Sequence, residues 1–575
     1  MTVPESRGIF AGLATETKTS TSTWLALRNP VFARLWLASV LSGTFVSAQD
    51  VAATWLMHSA GASSFALSLM ATAAAAPFFL LTLPAGAVAD IANRRVVMIS
   101  AALWQGGCSA LLALGAWNHL INASSILACI FALGMGVAFF APVWGAIVPD
   151  VVAKEELPSA ITLGGVQLNL SGIVGPALGG LLLPVLGAPL LISFNAMTFV
   201  LVALAVAQWR PRREQETMPR ENFTESFVSS LRYANHSPRI KTILFRDLIF
   251  ALVISIVPAL LPVVSLKELH LSAAQLGLVF TCVGVGSLFG AIVLLPYLRQ
   301  HISPNATTSI SMTILVLVLV ALAVTRQLPV LLTGATLAGM AWALAGSELW
   351  VAGQRVMPGW VRGRMDALQI MLGQGGMALG AFLWGAGISH AGPEWTFAAA
   401  AVLALSVLIL GGLFSINFPA DLSLDAAPGN PLHDFPAVPP YDAGPVTITI
   451  EYFVEESRRD EFRRLMEEVQ AVCRRNGAFH CRLDECLEDP GTFRLEYMVA
   501  TWAEHLRQNL RRTVEDSRLY DAAWKLNTGD AEPRVRHYLA AKRALQLHGY
   551  GLSGRTFSNK QDLQPQTAAS LSAGA

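Results

Sequence analysis

Between Val31 and Phe418 the chain alternates long apolar runs with short polar breaks. A helix that crosses a bilayer needs roughly 20 apolar residues, because it rises 1.5 Å per residue across a hydrocarbon layer about 30 Å thick. About twelve runs meet that length. They start near Phe32, Ser64, Val96, Ile121, Leu157, Pro189, Thr242, Ala273, Thr307, Pro329, Met365 and Glu394. One break is long: from Trp209 to Lys241 the chain reads WRPRREQETMPRENFTESFVSSLRYANHSPRIK, and this charged segment divides the row into six and six. Within it, Phe223 to Tyr233 has the pattern of an amphipathic helix. After Phe418 the rhythm changes. A proline-rich stretch leads to VTITIEYFV, which alternates like a strand, then to a charged helix, a hairpin around EDPG, further helices and the strand RVRHYLA. Strand, helix, strand, strand, helix, strand is the ferredoxin-like order.

The predicted fold class is therefore an all-α polytopic membrane protein of twelve transmembrane helices in two six-helix halves, with a C-terminal α+β ferredoxin-like domain. The predicted boundaries are a cytoplasmic N-terminal tail over 1–30, a first half over 31–209, a central cytoplasmic loop over 210–241 and a second half over 242–418. A linker over 419–445, a cytoplasmic domain over 446–548 and a disordered tail over 549–575 complete the chain.

Composition agrees with a membrane location. Hydrophobic residues make up 53% of the 575 and charged residues only 14%, against about 25% charged in soluble domains. With 40 basic and 39 acidic residues the net charge is +1, so no basic excess points to nucleic acid. The six cysteines show no metal or redox spacing and are expected to be reduced. No phosphate-binding Gly-x-x-x-x-Gly-Lys-Ser/Thr loop is present, which disfavours an ATP-driven pump, and no cofactor is expected. The first twenty residues lack a signal-peptide core, so the first run should be an uncleaved helix. Arg28, Arg34, Arg94, Arg95, Lys154, the Arg210 to Arg213 cluster, Arg299, Arg355, Arg362 and Arg364 all fall in alternate breaks, while the others carry little more than Lys267 and Arg326. Basic residues favour the cytoplasmic side, so both termini are predicted to be cytoplasmic, in the plasma (inner) membrane.

Two motifs carry a family resemblance. In LPAGAVADIANRRVV, Gly86, Asp90, Arg94 and Arg95 occupy the turn between the second and third runs, with glycine placed for close helix approach and the charges for a turn at an anionic surface. In SGIVGPALGG of the fifth run, Gly175, Pro176, Gly179 and Gly180 strip one helix face of side chains. The first resembles the signature loop of the major facilitator superfamily, although Ile91 and Asn93 stand where the family has arginine and glycine. The second resembles that family's antiporter motif, with Ser171 in place of the first glycine. FARLWLASVLSG, FFAPVWGAIVPDVVAKEELPSAITL and GWVRGRMDAL are similar to the enterobactin-exporter-like transmembrane secretion effector group. That resemblance implies alternating access by two halves, a gating loop at Asp90, proton exchange, and a C-terminal domain like the antibiotic-biosynthesis monooxygenases that would regulate or form a homodimer. An internal repeat fits the split: Pro149 to Gly164 aligns without gaps on Pro358 to Gly373.

Ionisable groups inside spanning helices are costly and mark candidate sites. Asp50, in the middle of the first run, is the leading candidate for proton coupling or substrate contact, with Gln49 beside it. Glu348 is expected to pair with Arg355 one to two turns on as a gate, and Arg246 and Asp247 read in the same way. Gln167, Asn169, Asn195, Gln369 and Gln374 are uncharged candidates for the cavity lining or for bonds between helices. In the C-terminal domain His480, His505, Trp502 and Tyr497 have reactive side chains, but no catalytic spacing connects them. The expected function is proton-coupled export of a small organic molecule, such as a siderophore, drug or metabolite, across a lipid bilayer. The alternative is a sensor or monooxygenase-like enzyme that the helices merely anchor.

Overall fold

A computed structural model of the chain describes residues 24–153, 155–209, 223–418, 423–427, 439–528 and 533–540. Ten of the described helices are long and apolar enough to cross a membrane. The first half holds α1 (Pro30–Ser59), α2 (Ser64–Ile91), α3 (Arg94–Trp117), α4 (Ala123–Val151) and α5 (Leu157–Gln208). A surface helix, α6 (Phe223–Asn235), precedes the second half: α7 (Pro238–Glu268), α8 (Ala273–His301), α9 (Pro304–Val324), α10 (Leu328–Val356) and α11 (Arg362–Leu410).

The starts follow from local chemistry. Asn29, Ser63, Asn93, Asn122, Ser272 and Ser303 each accept hydrogen bonds from first-turn amides, which satisfies donors that have no partner within the helix. Two helices are far longer than one crossing requires. α5 and α11 contain 52 and 49 residues, and each is broken once, at Gly187 (φ 74°) and Gly392 (φ 81°). Only glycine enters that backbone region without strain, and a proline follows closely in both cases, Pro189 and Pro393. The chain doubles back at these points. Ser159 and Gln208, near opposite ends of α5, both bond to the region where α1 begins, at Ala26 and Arg34.

Within each half the packing is repeated. Gly175 and Gly179 of α5 lie against Thr44, Ala48 and Val51 of α1, and Gly376 and Gly380 of α11 lie against Leu248 and Leu252 of α7. An added methyl would meet backbone at 3.0 Å or less in all four places. Between the halves, Gly180 faces Gly277 of α8, and Ser68 faces Gly385. Phe65 packs on Phe382 at 5.8 Å, and Thr72 Oγ1 donates to Ala378 O at 3.1 Å. These contacts lie away from α6. At the end nearest α6 a methyl at Gly86, Gly164, Gly165 or Gly363 would meet nothing within 4 Å. The halves thus meet at the far end, and Gly86, at the α6 end, makes none of the close approach that the sequence suggested for it.

The C-terminal unit comprises β1 (Val446–Phe453), α12 (Arg459–Arg475), β2 (Phe479–Glu485), β3 (Thr492–Val499), α13 (Trp502–Leu510), α14 (Val514–Lys525) and β4 (Arg534–Leu539). Its small sheet is antiparallel with strand order β2-β3-β1-β4. Alternation buries Val446, Ile448, Ile450 and Tyr452 of β1, and Phe493, Leu495, Tyr497 and Val499 of β3, on one side, where Phe462, Met466 and Val469 of α12 complete the core.

Candidate functional site in the helical bundle

α1 shows its lipid side through exposed residues at Pro30, Arg34, Leu37 and Leu41, a spacing that keeps to one helix face. At about 100° per residue, Asp50 stands roughly opposite that stripe. Its side chain is exposed even though Gln49, Val51, Ala52, Ala53 and Thr54 around it are buried. It therefore opens onto space within the bundle. Its carboxylate takes no hydrogen bond or ion pair among the described residues. Gln49 points elsewhere. Its Oε1 accepts from Asn195 Nδ2 at 2.8 Å, and Asn195 also donates to Ser109 Oγ at 3.3 Å, a fully buried cluster that ties α1, α3 and α5 together.

α7 repeats the arrangement of α1. Pro238, Lys241 and Phe245 are exposed, and Asp247 lies roughly opposite them among buried Ile240, Ile243, Phe250 and Ile254. A methyl at Gly373 of α11 would meet Asp247 Oδ2 at 2.9 Å. The carboxylate has no bonding partner among the described residues. Its neighbour Arg246 is engaged elsewhere: it donates to Thr308 Oγ1 at 2.7 Å, to Phe414 O at 3.0 Å and to Asn305 Oδ1. The sequence had treated this pair alike, yet the 100° between neighbouring residues sends one side chain to α9 and the other into the bundle.

Glu348 is 2% exposed, and its partner is Arg299 of α8, whose Nε donates to Oε1 at 2.6 Å. Arg355, the expected partner, is exposed. The correction has a simple cause: α8 packs beside α10 and brings Arg299 to Glu348, whereas Arg355 lies two turns, about 10 Å, further along the same face, at the end of the helix. The first half holds a counterpart: Arg94 Nη1 donates to Asp150 Oδ2 at 2.9 Å, linking the start of α3 to the end of α4. Arg95 donates to Ala207 O. The side chain of Asp90 lies outside the described residues.

The uncharged candidates are dispersed. Gln167 Nε2 donates to Ser39 O at 3.4 Å, and Asn169 Nδ2 bonds within its own helix to Gly165 O. Gln369 is 2% exposed, with a long contact from Nε2 to Leu349 O at 3.5 Å and an unpartnered Oε1. Gln374 is half-buried. Pro176 is buried, and its carbonyl lies against Gly277 of α8, where an added methyl would meet it at 2.8 Å. In the C-terminal unit His505, Trp502 and Tyr497 are buried while His480 is exposed, so these four do not converge. Among the described residues no group of three or more His, Cys, Asp or Glu side chains could hold a metal ion, and all six cysteines are free.

Residues 21–545 match the family model described as "Transmembrane secretion effector". The chain belongs to the transmembrane secretion effector family. This member is 26% identical over 410 residues to the multidrug efflux pump Tap of Mycobacterium bovis, covering 70% of this chain and 96% of the pump. It is 27% identical over 367 residues to the enterobactin exporter EntS of Citrobacter koseri, covering 62% and 85%. Among solved structures it resembles a bacterial homologue of the human lysosomal transporter Spinster, in an inward-facing and occupied conformation, with a TM-score of 0.53 and 15% identity over 68% of this chain and 97% of that one. The secretion effector is thus a multi-pass major facilitator transporter that exports small molecules, and its helices are more than an anchor for an enzyme.

Proposed function

We propose that this secretion effector exchanges its substrate for protons across the plasma (inner) membrane, with Asp50 as the coupling carboxylate. The observation that carries the reading is the position of Asp50: an unpartnered acid inside a spanning helix, turned from lipid toward internal space. Counting α5 and α11 as two crossings each gives twelve spans in two six-helix halves, and the doubling back at Gly187 and Gly392 supports that count. The basic residues at the α6 end support a cytoplasmic location for that end and both termini. On this orientation Gly86, Asp90, Arg94 and Arg95 lie at the cytoplasmic end and close as a gate when the inner ends meet. Gly180 and the Pro176 carbonyl, against Gly277, form the seam on which the halves rock, and Gly175 and Gly179 seat α5 on α1 within the first half. The boundaries at 209, 241, 418 and 445 stand as the domain limits of this reading, and the strand order of the C-terminal unit supports a ferredoxin-like, regulatory domain. A homodimer through that domain would have to use a polar sheet face, where Arg494 pairs with Asp484 and Arg482 with Glu496.

The test is Asp50→Asn in vesicles containing the full chain. Uphill export and its dependence on the pH difference should both be lost, while exchange down a gradient survives. Normal pH-driven accumulation by this variant would remove Asp50 from the mechanism.

A further inference from the structure

The spacing of the cysteines along the chain shows no redox motif, yet the fold of the C-terminal domain brings two of them together. Cys473 lies in the last turn of α12 and Cys481 in β2, and both are buried, at 1% and 7% exposure. Their thiols face each other within hydrogen-bonding reach. β2 is an edge strand, and its pairing with β3 shifts between Phe479 and Arg482. His480 and Cys481 therefore both stand opposite Tyr497, and a bulge of this kind re-aims the side chains it carries. His480, with φ at 50°, is exposed, while Cys481 enters the core. Arg474 Nη2 donates to Cys481 O at 3.0 Å and holds the strand against the end of the helix.

The surroundings favour a thiolate at Cys473, the form of cysteine that reacts with oxidants. Its Sγ shares a hydrogen bond with Tyr520 Oη of α14 at 3.1 Å, and the guanidinium of Arg512 lies over the Tyr520 ring at 4.0 Å. Hydrogen bonding with Cys481 and Tyr520, together with the Arg512 charge, holds the Cys473 thiol below the usual thiol range in spite of burial. The same end of α12 carries part of the contact between the domain and α6. Arg475 pairs with Asp516 of α14 and lies over the ring of Tyr233 of α6 at 5.4 Å, and Asn476 Nδ2 donates to Asp516 Oδ2 at 3.4 Å.

We propose that Cys473 and Cys481 form a reversible oxidation site, which hydroperoxides close to a disulfide and which thereby loosens the hold of the domain on α6. Hydrogen peroxide enters at the bulged sheet edge. The Cys473 sulfur attacks one peroxide oxygen, the S–O bond forms, the O–O bond breaks, and the departing hydroxide takes up the proton that Cys473 gave up. The Cys481 sulfur then attacks Cys473, the S–S bond forms, the S–O bond breaks, and the second oxygen leaves as water with the Cys481 proton. Both sulfurs are oxidised and both oxygens reduced, so two thiols and one peroxide give one disulfide and two waters. The disulfide ties the end of α12 to β2 and ends the thiol's hydrogen bond with Tyr520, so α12 loses a link to α14 next to Arg475.

The purified full chain, exposed to hydrogen peroxide, quenched with a maleimide and digested, should yield the cross-linked pair of Cys473 and Cys481 peptides before Cys486 is modified. Dithiothreitol should restore both thiols. Cys473→Ser and Cys481→Ser should each abolish the cross-link, and in Cys481→Ser the remaining Cys473 should stop at the sulfenic acid, trapped by dimedone. Amide exchange in α6 should accelerate on oxidation of the wild type and in neither variant. Slow exchange in β1 and β3 throughout shows that the domain stays folded. Oxidation confined to Cys486, or a disulfide between Cys481 and Cys486, overturns the site. A Cys473–Cys481 disulfide that leaves α6 exchange unchanged overturns its link to docking. None of these readouts involves Asp50, so the outcome is independent of the exchange reading above.

Discussion

At the scale of single residues, sequence spacing located charges well and their partners poorly. Asp50 stood out because a carboxylate far inside an apolar run has no water to solvate it. Glu348 was equally visible, but its bond to Arg299 joins residues 49 positions apart, and no periodicity along one helix reveals a neighbour supplied by another. The distinction has a measurable consequence. Glu348→Gln leaves Arg299 facing a buried site without its counter-charge, and should lower the thermal stability of the full chain by about 2 kcal/mol, a value reduced for the partial exposure of the arginine. Arg355→Gln, at an exposed position, should change it by less than about 0.5 kcal/mol. Thermal unfolding followed by tryptophan fluorescence distinguishes the two.

His505 offers a second test at this scale. It is 3% exposed with neither ring nitrogen hydrogen-bonded, and burial, with His537 facing it at 4.8 Å, pushes its pKa down from 6.5 to about 4. The unfolded chain therefore binds a proton near pH 6.5 that the folded domain refuses until about pH 4. Stability is full above pH 6.5 and falls through the interval below it, by about 3 kcal/mol once pH 4 is reached. Amide exchange in β1 of the full chain should accelerate as pH falls from 6.5 to 5, after correction for intrinsic rates. His505→Phe should flatten that dependence.

At the scale of elements, hydrophobic runs and turn residues were enough to locate nearly every helix start, and the alternation VTITIEYF located β1. The reversals at Gly187 and Gly392 were also legible, because the polar and proline-marked breaks there imply a turn even though the helical hydrogen bonds run nearly without interruption. What the runs could not disclose was which glycines face what. Gly175 and Gly180 belong to one motif yet serve different contacts, the first within a half and the second between halves. Gly175→Ala should therefore destabilise the first half and lower the amount of folded protein. Gly180→Ala, whose methyl would come within 2.8 Å of Gly277 Cα, should leave folding nearly intact and hinder closure of the far end. Reactivity of a cysteine introduced at the far end toward a membrane-impermeant maleimide would rise in Gly180→Ala and not in the wild type.

At the scale of the whole molecule, the C-terminal domain is docked as well as tethered. Trp360, in the connection between α10 and α11, has its ring edge-on to Tyr233 of α6 at 5.3 Å and the guanidinium of Arg511 over it at 4.5 Å. Arg475 lies over Tyr233 at 5.4 Å, and Glu504 accepts from both Arg232 of α6 and Arg511. Cation–π contacts of this kind contribute about 0.5–2 kcal/mol each. Trp360→Ala should free the domain, seen as faster amide exchange in α6 with unchanged exchange in the core of β1 and β3. None of this was legible in the sequence, where Trp360 is one aromatic residue in a short break and the partners lie more than a hundred positions away.

Because the docking residues come from α6 and from the break before α11, the domain is fastened to the second half beyond the membrane boundary. It is in effect a pointer attached to one of two moving plates. A dye on the tip of its sheet and another on the break between α2 and α3 would convert a small tilt of the helices into a much larger change in separation. The transport cycle of a single molecule could then be followed optically without placing a label inside the bundle.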